Sequence, residues 1–360
     1  VVVNTMNHRK ESFDTEYGAK ATLDAAKHST IHVQAVHPED NVGTNLADEL
    51  TPLNYYTILS DEEPASVYTN ANLRSFRITQ PLQINMENDS LHMRFYSPVG
   101  IKEVTVMAKS PTMDEYVEFV YIDNIPAFAD IKTSIKVLEK GLYRTESGKI
   151  QQLSAEEINP ASLSLKISCN DPYWTKISQI KAKWYIKFVL NGGNPVTGVP
   201  NNNWWGIRPV HCREAVALYL NIGYMCTLEK FQQRVSTFQG TLLDNNRYPI
   251  DTSTIIPRLE NLSGFDIGLV YSGNGVSGLG GGRTWGVYQK SFLYHYENSG
   301  GCCSTIFHEL GHCLGYSHNS TMTYGKWASG CADVFYKNNI KDFPVNSHTI
   351  LKSRSNPNIY

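Results

Sequence analysis

Five residues within one short stretch, HELGHCLGYSH, are of the types and spacing that do chemistry together: His308, Glu309, His312, Gly315 and His318. His308 and His312 stand four positions apart, so at about 3.6 residues per turn their rings leave a helix on one face, close enough to share an ion. That spacing predicts a bidentate zinc clamp. Glu309, beside the first histidine, can reach a water at the metal without occupying a ligand position, which is the placement of a general base. His318 cannot be a third ligand if the helix runs on, because six further steps of about 100° point it away from the face of His312. Gly315 resolves this, since it can take the positive φ that stops a helix and turns the chain back. Three neutral imidazoles leave a fourth tetrahedral position for water, the feature that separates a catalytic zinc from a closed structural one. One catalytic Zn2+ is therefore the expected cofactor.

The stretch matches HExxHxxGxxH at every specified position, and in this it resembles the metzincin clan of metallopeptidases. The resemblance implies a secreted or cell-surface zinc endopeptidase that hydrolyses peptide bonds of extracellular proteins or glycoproteins, with Glu309 as its base. The clan also carries a methionine turn beneath the metal, and Met322 in STMTYG resembles it. In the astacin and serralysin branches that turn continues to a tyrosine that contacts the metal or steadies the oxyanion; the resemblance gives this role to Tyr324. Only three residues separate His318 from Met322, fewer than is usual in the clan, so either the turn is tight or Met322 is not the clan methionine. Upstream, FDIGLVYSG and GLGGGRTWGV resemble the clan's central strands and the rim strand along which an extended substrate lies. This implies a substrate rim at Gly280, Gly281, Gly282, Arg283 and Trp285. The GGGRTWG stretch is also loosely similar to bacterial secreted mucin-directed members of the clan.

Plainer readings stand beside these. A bare HExxH arises by chance in many helices, but Gly315 and His318 at the required offsets make coincidence a poor account. Met322 taken singly is a core methionine, and in a chain with 21 tyrosines some fall near any site. The glycine run 278–282 lacks the GK[ST] and the following helix of a phosphate cradle. Arg283 suits a substrate carboxylate, though an exposed structural arginine is the safer default. Cys302 and Cys303 precede the metal helix and suit metal or redox chemistry, but a disulfide that anchors the helix, with Cys331 as one candidate partner, fits a secreted protein better; Cys313, inside the helix, reads as well as a small apolar residue. His211 and His295 have no partner at ligand spacing and read as structural.

The elements that must position these residues divide at about residue 165. From 31 to 140, short β-branched or aromatic runs recur about every ten residues: TIHVQAV (31–37), LRSFRIT (73–79), LHMRFYS (91–97), KEVTVMAK (102–109) and YVEFVYI (116–122). This pattern predicts an all-β, sandwich-like accessory domain over 1–165. Residues 166–360 read as the metzincin-like α+β domain, with helices over 213–225 and 227–243, strands over 265–273 and 284–289, a further strand at FLYHY (292–296), and the metal-binding helix.

A formal charge of −2 without long runs of either sign excludes the electrostatic footprint of a nucleic-acid binder. No stretch approaches the roughly 20 apolar residues of a membrane span, and the first residues, VVVNTMNHRKESFD, lack the h-region of a signal peptide. Two other functions stay open on the sequence. One is a zinc amidase acting on non-protein amides; the other is a binding or adhesion protein with an inactive metal site, against which Glu309 argues, since a dead site has no need of a base.

Overall fold

The computed structural model of the chain describes residues 33–34, 55–62, 70, 74–189, 198–297 and 301–355. These form a mixed α/β protein that divides into two compact units, one made of the described residues up to 58 and 81–175, the other of the described residues within 59–80 and from 176 on. The first run of the β pattern is described only at Val33–Gln34; the rest of TIHVQAV lies outside the described residues.

The first unit is built from antiparallel pairs. One four-stranded sheet joins Val33–Gln34, Val117–Ile125, Ile101–Lys109 and Ser164–Ser168; a second joins Tyr56–Thr57, Ala129–Ser134, Ser90–Phe95 and Leu82–Glu87. The period-2 alternation expected of a half-buried strand is plain in Ser90–Phe95, where Leu91, Met93 and Phe95 are buried and the residues between them are half-buried. Those three side chains share one core with Val104, Val106, Val120 and Ile122 of the other sheet, so the two sheets close over a common apolar layer.

The second unit has a mixed sheet running Gly278–Gly281, Thr284–Tyr288, Gly264–Val270, Tyr185–Phe188 and Ser75–Arg77, with Trp204–Trp205 pairing to Gly264–Val270. The three middle strands are parallel, and Gly278–Gly281 and Ser75–Arg77 pair antiparallel at the two ends. Membership of Ser75–Arg77 corrects the reading of LRSFRIT as part of the N-terminal β module. Its alternation marks a strand, but only the register Phe76 to Ile186 assigns it to this sheet. A second correction concerns FLYHY. It is not a strand: Gln289–Tyr294 is helical, with Phe292 and Leu293 turned into the core. An aromatic run fits a pleated surface well, yet β propensity yields to packing, and here Phe292 is held edge-on against Trp285.

The helix Pro209–Thr227 opens on proline, whose missing N–H costs nothing in a first turn, and it is buried on almost all sides. Its Tyr219 sits among Trp184, Phe265 and Trp285 at centroid distances of 4.9 to 5.9 Å, tying the helix to the sheet. The helix Cys302–Cys313, which carries His308 and His312, packs on Gly278–Gly281 and Thr284–Tyr288. No helix among the described residues is long and apolar enough to cross a membrane.

The expected disulfide anchor is absent, since none of Cys302, Cys303 and Cys331 is joined in a disulfide. Cys303 Sγ is engaged by the carbonyl of His295 at 3.4 Å, and Cys302 lies 3.8 Å from the Tyr288 hydroxyl. Neither thiol is matched with Cys331. Burial pushes Cys303, Cys313 and Cys331 up to about 12, so all three stay protonated and act as small apolar groups.

Candidate metal centre

His308, His312 and His318 come together, with one donor atom from each within 4.8 Å of the others. Nε2 of His312 lies 3.2 Å from Nε2 of His308 and 3.0 Å from Nε2 of His318. Nitrogens bound at about 2.0–2.1 Å to one tetrahedral ion stand roughly 3.3 Å apart, so the spacing fits. The protonation state fits as well. Nδ1 of His312 donates to the carbonyl of Tyr316 at 2.7 Å, and Nδ1 of His308 donates to the carbonyl of Thr323. A carbonyl can only accept, so each Nδ1 carries the proton and each Nε2 turns a lone pair inward. Burial, reinforced by the neighbouring imidazoles, holds His308 and His312 below the usual histidine value and hence neutral. Lone pairs packed this closely repel unless a shared cation lies among them. The donor set can therefore hold a metal ion.

The helix reaches this geometry because it ends on time. Gly315 has φ +92°; Tyr316 N–H donates to Gly311 O at 3.1 Å and Gly315 N–H to His312 O at 2.9 Å, the paired bonds of a Schellman stop. The chain then doubles back and delivers His318, which is exposed, to the face of the other two.

Glu309 is buried against the edge strand rather than open to solvent. A Cβ at Gly278 would overlap its carboxylate, and one at Gly280 would come within 2.6 Å of its backbone oxygen and 2.8 Å of Oε2. The bare backbone at 278 and 280 is thus the seat of Glu309. Burial alone pushes its carboxyl up to about 8, and a cation nearby acts in the opposite sense.

Of the other expected site residues, Met322 is fully buried and Tyr324 is 57% exposed, its ring 4.7 Å from that of His308 and 4.8 Å from that of His318. Gly280 lines an open cleft of about 710 Å³ together with Ser277, Gly278, Glu309, Tyr324 and the three histidines. The remaining rim positions are used elsewhere. Gly281 and Gly282, at φ +146° and +56°, shape the hairpin turn into Thr284–Tyr288. Arg283 donates to Ser263 Oγ at 2.8 Å and pairs with Asp266 at 3.3 Å. Trp285 is wholly buried, its Nε1 donating to Ile306 O.

Three supporting residues escaped the sequence reading. Thr323 orients His308 through its carbonyl, and its hydroxyl donates to Ser317 O at 2.9 Å. Arg258 clasps the end of the helix, donating to Leu314 O at 2.8 Å and to the Tyr316 hydroxyl at 2.5 Å. Gly311, inside the motif but at an unspecified position, lets the Met322 turn lie on the helix: a Cβ there would come within 2.5 Å of Met322 O. Only the glycine within HELGH hinted at any of this.

The last point yields a sign test. In an unconstrained helix, glycine to alanine gains up to about 1 kcal/mol. Gly311→Ala is expected instead to destabilise the chain by about 1–3 kcal/mol, because the added methyl must push the turn away. Denaturant unfolding measures it; equal or higher stability would show that the turn does not rest on this residue.

No family model matches the chain, and no curated protein and no solved structure matches it.

Proposed function

We propose that the chain is a zinc endopeptidase of the metzincin kind, cutting internal peptide bonds of extracellular proteins or glycoproteins. The observation that carries this reading is the convergence of three histidine Nε2 atoms beside a buried carboxylate, at the floor of an open cleft. Zinc is the ion we assign, because an all-imidazole set of three with room for a fourth ligand suits it. When bound, zinc supplies Lewis acidity, making water more acidic and the scissile carbonyl more electrophilic.

The chain's own residues then have separable tasks. Glu309 takes the proton from the attacking water as its oxygen bonds to the carbonyl carbon. It returns that proton to the amine nitrogen as the C–N bond breaks. The low-polarity seat made by Gly278 and Gly280 keeps the carboxylate basic and pointed at one place. Tyr324, at the mouth of the cleft beside two of the histidines, is placed to donate its hydroxyl to the developing oxyanion. Gly278–Gly281 ends its sheet, so its outer edge is able to pair with an extended substrate, which favours a peptide over a compact amide. The extracellular setting, and with it secretion or display at a cell surface, rests on the resemblance of HELGHCLGYSH alone.

The test is metal content together with product mapping. Native protein should carry about one zinc per chain, and an unfolded protein substrate should be cut at internal bonds, with cutting lost on chelation and restored by zinc. A metal-free native preparation would sink the whole reading. Bound zinc with no internal cleavage would remove the endopeptidase and leave an amidase or an inactive binding site.

A further inference from the structure

The three histidines are not equally secured. His308 and His312 stand on a helix and each has its Nδ1 tied to a carbonyl. His318 stands in irregular chain, is exposed, and among the described residues its Nδ1 makes no hydrogen bond. Its position is set by the turn that carries it, and that turn is held by a loop more than 70 residues earlier.

Asn245 is the centre of this hold. Its Oδ1 accepts from the backbone N–H of Ser317 at 2.7 Å and from the Ser317 hydroxyl at 3.1 Å, while its Nδ2 donates to Gly315 O at 3.1 Å. It thus grips the hinge glycine and the residue just before His318 with a single planar amide. Around it, Leu243 O accepts from Thr321 N at 3.1 Å and from Ser320 Oγ at 2.6 Å, and Arg247 Nη1 donates to Asn319 O at 2.9 Å. The loop is itself stiff. Asp244 Oδ1 accepts from Asn246 N at 2.8 Å and Tyr248 N at 2.9 Å, and Leu243 bridges Pro249. A prearranged loop gripping the turn at Gly315 O and Ser317 N–H adds to the bonds that the turn makes with the helix end and with Thr323, and so removes freedom that His318 would lose on binding an ion.

We propose that Asn245 is a positioning residue for His318, fixing the Gly315–Ser317 turn and thereby setting the affinity of the site for its ion. The inference rests on the three-histidine metal reading but not on peptide cleavage. Zinc affinity of the full chain, measured by competition with a chromophoric chelator, reads it directly. Asn245→Ala should weaken binding about 10–100-fold, the range seen when a ligand loses its own outer partner, applied here to the turn that carries the ligand. A double-mutant cycle separates positioning from plain loss of fold: in a His318→Ala background, Asn245→Ala should change the affinity less than about 2-fold. Wild-type affinity in Asn245→Ala, or equal weakening in both backgrounds, would overturn the proposal. If Asn245→Ala fails to fold, Asn245→Asp serves. It keeps the acceptor for Ser317 but sets a carboxylate against Gly315 O, and it should weaken zinc only where His318 is present. Wild-type protein that binds no zinc would overturn the metal reading itself, which is a different result from either.

Discussion

On the zinc endopeptidase reading, Glu309→Gln is expected to lower peptide turnover by about 10³-fold while the metal stays bound, since amide replaces carboxylate without altering the ligands. The magnitude follows from what is removed. Glutamine has nearly the same shape and fills the same seat against Gly278 and Gly280. It can donate or accept a hydrogen bond but cannot take a proton at neutral pH. The loss should therefore fall on kcat, with KM little changed. Tyr324→Phe in the same assay is expected to cost about 10²-fold, the scale of one oxyanion donor. Its ring faces His308 and His318 but is mostly exposed, so stability should hold. Retained turnover in Glu309→Gln would remove the base, and retained turnover in Tyr324→Phe would return that side chain to a packing role.

The second large effect concerns acid. His211 is buried in the helix Pro209–Thr227, its Nδ1 facing the N–H of Arg208. Burial, helped by the charges of Arg208, Arg213 and Arg74, pulls it down to about 3 from the ordinary 6.5. His295, also buried, is lowered by the same cause, although Glu214 opposes the shift. The sign follows from linkage. Above 6.5 both forms of the chain have neutral histidine, and there is no penalty. As pH falls through 6.5 the unfolded chain takes up a proton that the folded chain refuses, and stability declines until the folded value is reached. For His211 alone the loss is roughly 1.4 kcal/mol per pH unit, or about 3 kcal/mol by pH 4.5. Denaturant unfolding of metal-free protein from pH 7.5 to 4.5 should show this limb, and His211→Gln should flatten it. An acid slope identical in the variant would show that other groups carry it.

The buried neighbours of His295 explain why that second histidine is tolerated. Glu214 accepts from Tyr296 at 2.7 Å, from Ser353 at 2.6 Å and from His295 at 3.2 Å, and the other nitrogen of His295 meets the Tyr336 hydroxyl at 2.8 Å. Nearly every polar atom there has a partner, as a buried network requires. No single residue of this network is distinctive in the sequence. Its members come from four places in the chain, and only folding makes them neighbours.

What the sequence determined by itself is the local part of this protein. Spacing by four puts His308 and His312 on one helical face, and glycine three residues later permits the stop, because both effects involve only the backbone between them. Alternation likewise marked Ser90–Phe95 and Ile101–Lys109 as strands. Tertiary structure decided the rest. It assigned Ser75–Arg77 to the second sheet, made a helix of Gln289–Tyr294, and left Cys302, Cys303 and Cys331 unpaired. It also set Gly278 and Gly280 against Glu309, laid the Met322 turn on Gly311, and brought Asn245 to the hinge that carries His318. The reason is the same in each case. A helix or strand repeats with a fixed period that can be read along the chain, whereas a hydrogen bond across 70 residues, or a missing methyl across 11 to 31, depends on the path between the two positions, which no local pattern encodes.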